Sequence, residues 1–190
     1  MKNFSNRKGF TLVELLIVIV VIGVLSAMMM LSSTEAVSSA KAANVINNLR
    51  NIKTAVLSWY TDNLDRIKLD KDQNYKIDGG NFSAFVQNKK SEILKYLNND
   101  SSINIKNKND NTLNNGDYLL TTIAGSKYWY ICYYVGNDKS LQAKLASRAK
   151  TAELFGENAK DFRKDLNSTK CDTYYTNQNF ACMFVLSLVD

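Results

Sequence analysis

The stretch that most constrains this chain is residues 10–31, twenty-two positions that carry one charged side chain, Glu14. A helix rises 1.5 Å per residue, so a run of this length reaches across a hydrocarbon core of about 30 Å. Lys2, Arg7 and Lys8 precede it with no acid among them. The positive-inside rule then predicts a cytoplasmic N-terminus, with residues 32–190 exported. A cleavable secretory signal has a shorter apolar region that ends at small residues. Ser26-Ala27 imitates such an end, but the run continues through Met28, Met29, Met30 and Leu31, which predicts retention in the membrane. A carboxylate within such a span costs about 1–3 kcal/mol, depending on depth, so Glu14 needs a partner.

The residues around that acid resemble a known pattern. Lys8-Gly9-Phe10-Thr11-Leu12-Val13-Glu14 is similar to the processing motif of type IV pilins and of their relatives, the pseudopilins of type II secretion and DNA uptake. The resemblance covers residues 7 to about 60. It implies that a prepilin peptidase cuts after Gly9 on the cytoplasmic side and methylates the new N-terminal residue, Phe10. It also implies that Glu14, fifth in the mature chain, is the assembly residue. Elementary physics agrees, because the cut leaves an amine at Phe10 about one helical turn from Glu14. In a bundle of staggered identical helices the acid pairs with a neighbour's amine. Subunit addition then depends on register, as a single buried polar residue dictates in a coiled coil. The competing reading is an ordinary signal anchor with a tolerated acid.

Composition mainly excludes. The chain has 190 residues, 45% of them hydrophobic, enough for one modest domain with its own core. Net charge is +6, and Lys2, Arg7 and Lys8 supply half of it. Little basic excess remains for a nucleic-acid footprint, and no specific nucleic-acid partner is expected. The absence of histidine argues against most zinc sites, Ser–His or Cys–His nucleophile pairs and neutral-pH proton shuttles. A structural protein is expected, with no catalytic residues and no cofactor. Asp70, Asp72, Asn74 and Asp78 approximate the oxygen spacing of a calcium loop. Tyr75 replaces the turn glycine and Asn81 the bidentate glutamate, however, so a solvated loop without metal is expected.

The helix is expected to continue past the span, since residues 32–63 contain neither proline nor glycine. Val45, Leu49, Ile52, Val56 and Trp59 or Tyr60 recur at steps of three and four, an apolar stripe that must pack on something. Gly23 is the backbone-weak position within the span. Residues 64–116 read as a polar connecting region holding a short amphipathic helix or two, with Phe82, Phe85, Val86, Ile93, Leu94 and Leu97 as its apolar positions. Residues 117–123 and 127–135 read as two strands around a glycine-containing turn. A helix follows, capped by Asn137 or Asp138, with Leu141, Leu145, Ala149, Ala152 and Phe155 inward and Gly156 at its end. Residues 180–189 form a closing apolar strand. The predicted fold is α+β. Residues 1–9 are a removable leader, and one long helix spans the membrane over 10–31 and is amphipathic over 32–63. That helix packs on a small antiparallel sheet within 117–190, as the pilin resemblance implies.

Three cysteines in an exported domain imply one disulfide and one leftover thiol. The resemblance implies Cys171–Cys182, a staple beside the last strand, with Cys132 a buried packing thiol. Cys132–Cys182 is the alternative, although directly opposed residues on neighbouring strands are awkward for disulfide geometry. The resemblance as a whole implies a pilin assembled through its N-terminal helix into a type IV pilus, a surface fibre for adhesion, motility or aggregation. Its partners would be other pilin subunits, the prepilin peptidase, the assembly machinery in the membrane, and lipid before assembly. A pseudopilin of a secretion or DNA-uptake machine is the alternative of the same class. A membrane-anchored extracellular binding module is the alternative of another.

Overall fold

Residues 12–62 contain no proline and a single glycine, and the computed structural model forms one helix over them, α1 (Leu12–Asp62). The structure describes residues 9–69, 75–77, 80–81, 90–97, 103–106, 113–122, 128–157 and 173–187. The chain divides into two compact units, Met1–Ser38 and Ser39–Asp190, and α1 begins in the first and ends in the second. In the first unit, every large apolar side chain described from Phe10 to Met30 is between 49% and 83% exposed. Consecutive residues from Leu15 to Ile22 all lie within that range, so the exposure runs around the whole helix. Its last turns carry hydroxyls that bond back along the helix, Thr34 to the Met30 carbonyl and Ser38 to the Thr34 carbonyl.

In the second unit the same helix is amphipathic and its apolar face is covered. Ala42, Val45, Ile46, Leu49, Ile52, Ala55, Val56 and Trp59 are buried, and this 3.6-residue periodicity places them on one stripe. The helix ends where the Asn63 side chain donates to the Trp59 carbonyl at 2.8 Å, followed by a single 3-10 turn at Leu64–Arg66.

The region expected to be a polar connection contains structure of its own. Strands β1 (Ile67–Leu69), β2 (Tyr75–Ile77) and β3 (Gly80–Asn81) form a small antiparallel sheet, and α2 (Lys90–Tyr96) follows. Two bonds tie α2 to the end of α1. Trp59 Nε1 donates to Glu92 at 3.3 Å, and the Tyr96 hydroxyl donates to Asp62 at 2.8 Å. The four residues with calcium-loop spacing, Asp70, Asp72, Asn74 and Asp78, lie outside the described residues.

The main sheet follows, with β4 (Ile105–Lys106), β5 (Tyr118–Thr122), β6 (Tyr128–Tyr134), helix α3 (Lys139–Ala152), β7 (Leu154–Glu157) and β8 (Phe180–Ser187). Its spatial order is β4-β5-β6-β8-β7. Alternation sorts β6 cleanly. Trp129, Ile131 and Tyr133 join the core that includes the α1 stripe, with Val135 just beyond the strand. Tyr130 and Cys132 join Leu119, Phe180 and Cys182 in a second cluster. Val185 is an extra residue in β8, because Trp129 pairs with Leu186 and Tyr130 with Phe184. That bulge puts Val185 and Leu186 into one core.

Two expectations are corrected. The sheet is mixed, because β4 runs parallel to β5 at its edge. Buried Asp117 holds that pairing by accepting from Asn104 at 2.6 Å and from the Asn114 N–H at 2.8 Å, while the Tyr118 N–H donates to the Asn104 carbonyl. Helix α3 stops at Ala152, not at Gly156. Glu153 takes a left-handed conformation (φ 53°) and its N–H closes on the Ala149 and Lys150 carbonyls. Phe155 and Gly156 then belong to β7, where Gly156 leaves room for the Gln178 side chain. Of the two caps considered, Asp138 is the one used, accepting the Leu141 N–H at 3.0 Å.

Candidate functional site

The residues expected to carry processing and assembly occupy a short stretch at the start of α1. Gly9 and Phe10 precede the helix and are exposed, Phe10 at 83%. A Cβ built on Gly9 would meet nothing within 4 Å. Packing among the described residues therefore gives no reason for a glycine here.

Thr11 stands at the N-cap and Glu14 at the third helical position, and the two close a reciprocal capping box. The Thr11 Oγ1 accepts the Glu14 N–H at 3.3 Å, and the Glu14 carboxylate accepts the Thr11 N–H at 2.8 Å. The Thr11 hydroxyl donates to the same carboxylate at 2.8 Å, and the Thr11 carbonyl accepts the Leu15 N–H. A cap of this kind contributes about 0.5–2 kcal/mol. A negative side chain in the first turn also sits favourably at the positive end of the helix dipole. Part of what a lone acid costs in an apolar span is thus offset within the chain. Both Thr11 bonds end on Oε2. Among the described residues Oε1 has no partner.

Thr11 is the residue the sequence reading passed over. Its signal was present, because Thr-x-x-Glu immediately before an apolar run is the capping-box pattern.

The cysteines lie in the second unit, and their pairing corrects the expectation. Cys132 is bonded to Cys182, not left as a free thiol, so Cys182 is unavailable to Cys171. Cys171 itself lies outside the described residues. Strand register explains the choice. The Val135 N–H donates to the Asn179 carbonyl, which makes Tyr134 and Phe180 a pair without mutual hydrogen bonds. Two residues along, Cys132 and Cys182 form another such pair, with Cα atoms 4.0 Å apart. Side chains approach most closely at pairs of this type, so direct opposition favours the bond here. Both cysteines are fully buried in the second cluster.

Residues 4–30 match the family model described as the prokaryotic N-terminal methylation motif. The match covers the junction, the capping box and most of the apolar span. No curated protein and no solved structure matches the chain.

Proposed function

We propose that this chain, whose residues 4–30 match the N-terminal methylation motif that includes the class III leader of type IV pilins and pseudopilins, is a pilin that assembles into a surface fibre through α1. The leader implies processing by a prepilin peptidase and assembly with other subunits, and a structural role over a catalytic one. In this reading the peptidase cuts between Gly9 and Phe10 and methylates the Phe10 amine. Residues 10–31 hold the subunit in the membrane until it joins the fibre, with the N-terminus cytoplasmic and the second unit exported. A buried disulfide supports export, since such bonds form and persist in oxidising compartments.

The observation that carries the proposal is the union of that leader with a helix exposed all round. A surface helix of a soluble domain hides one face; this segment hides none. Burying each large side chain is worth about 1.5–3 kcal/mol. Lipid supplies that burial before assembly, and neighbouring helices supply it in the fibre. Glu14 then sets register, with Oε1 receiving the amine of an adjacent Phe10 while Oε2 keeps its Thr11 bonds.

Immunogold labelling of cells, with antibody against the exported unit, tests this. Labelled long fibres in the wild type, and unlabelled fibres in Glu14→Ala, are expected. Exported protein with no label on any fibre would contradict it and favour a pseudopilin or a membrane-tethered binding module.

A further inference from the structure

A cleft of about 350 Å³ opens in the second unit, between α1, the turn before β5 and the start of α3. Val45, Val135 and Leu141 line its floor together with the rings of Tyr118 and Tyr133, whose centroids are 5.0 Å apart. All five are buried. The rim is polar. Lys41, Asn44 and Asn48 follow one another along one stripe of α1, and Asn115 and Asp138 line the cleft from the loop segments.

Several of these groups are held in place. Asn48 Nδ2 donates to the Tyr118 hydroxyl at 3.0 Å. Among the described residues, the amide oxygen has no donor and the phenol proton no acceptor. Asn115 lies against Gly136 (φ 60°), where any Cβ would collide with its amide. Gly136 is fixed in turn, its carbonyl accepting from buried Gln142 at 2.8 Å. Burial pushes the Tyr118 phenol up to about 12. Burial, with Asp138 and Asp117 nearby, also raises Tyr133. Both hydroxyls therefore stay protonated at neutral pH.

The chemistry of the lining selects the ligand class. Lys41 and Asp138 oppose one another in sign, so the rim carries no net charge with which to hold an ion. Asp138 already caps α3, which removes the helix end as an anion site. What remains is a small apolar floor beneath amides and phenols that both donate and accept. We propose that this cleft binds a neutral saccharide. The C–H face of a pyranose ring would lie on Val45 and the tyrosine pair, and its hydroxyls would meet Asn44, Asn48 and Asn115. The volume falls at the small end of the range for small-molecule sites.

Saturation-transfer NMR on the processed full-length subunit, in alkylphosphocholine micelles to avoid sugar-based detergent, tests the site without relying on fibre assembly. Glucose, galactose, N-acetylglucosamine and trialanine serve as probes. Transfer to the ring protons of at least one sugar is expected. Asn44→Trp, which fills the cleft from the exposed rim, should abolish it at an unchanged unfolding temperature. Tyr118→Phe, nearly isosteric, should weaken binding about three- to tenfold through one lost hydrogen bond. Transfer to no sugar, transfer to trialanine alone, or sugar binding unaltered in both variants would overturn the assignment.

Discussion

Replacing Cys132 and Cys182 together by alanine should remove much of the second unit's stability. The bond joins residues 50 apart in sequence. In the chain-entropy relation, closing a loop of that length in the unfolded state is worth about 4 kcal/mol at 25 °C. Removing a native disulfide typically costs about 2–5 kcal/mol, so a loss of about 3–4 kcal/mol is expected. A domain has only about 5–15 kcal/mol in total, which makes the effect easy to measure. The buried indoles of Trp59 and Trp129 report unfolding in a guanidinium titration, and Trp129 lies on the same strand as Cys132. Cys171→Ala is the control, since it leaves the Cys132–Cys182 bond and its entropic term intact. Its unfolding free energy should stay within about 0.5 kcal/mol of wild type. A double variant within about 1 kcal/mol of wild type would refute the assigned role of the bond. So would a Cys171→Ala loss as large as that of the double variant, or a Cys171-containing disulfide in a non-reducing peptide map.

Glu14→Ala should insert into membranes as well as wild type or slightly better, because the span becomes more apolar. It should nevertheless be missing from sheared fibres in an immunoblot. Thr11→Val keeps the N–H bond to Glu14 but loses both hydroxyl bonds, so fibre incorporation should fall less than in Glu14→Ala. Leu49→Ala, at a fully buried position, should destabilise the second unit by about 2–5 kcal/mol in the same titration. Alkaline pH should also destabilise it. The Tyr118 phenol titrates near 10.0 when unperturbed and at about 12 in the fold, so between those values only the unfolded chain releases its proton. The contribution is whole below pH 10, is lost as pH rises to 12, and is on the order of 2–3 kcal/mol. Tyr118→Phe should make that part of the stability–pH curve shallower, and burial of Tyr133 and Tyr175, which raises both phenols, keeps the remaining slope.

The readable parts of this fold were those set by local periodicity. The stripe Val45, Leu49, Ile52, Val56, Trp59 repeats often enough to define the buried face of α1, and alternation along β6 sorts its two faces correctly. Features that depend on distant partners were harder. β4 is two residues long, and its parallel pairing rests on Asn104 meeting Asp117 thirteen residues later. The end of α3 rests on Glu153 taking a left-handed conformation that its residue type does not announce. Disulfide choice depends on the register of β6 against β8. Both faces of those strands are apolar, so alternation does not fix that register. Thr11 differs in kind, because its Thr-x-x-Glu pattern is local and legible in the sequence alone.

The central claim rests on the Gly9–Phe10 junction, and the intact mass and N-terminal sequence of the subunit recovered from the cell surface test it most directly. The account predicts a chain beginning at Phe10 and heavier by one methyl group on its amine. A chain that still begins at Met1, or one cut after Ala27, would contradict it.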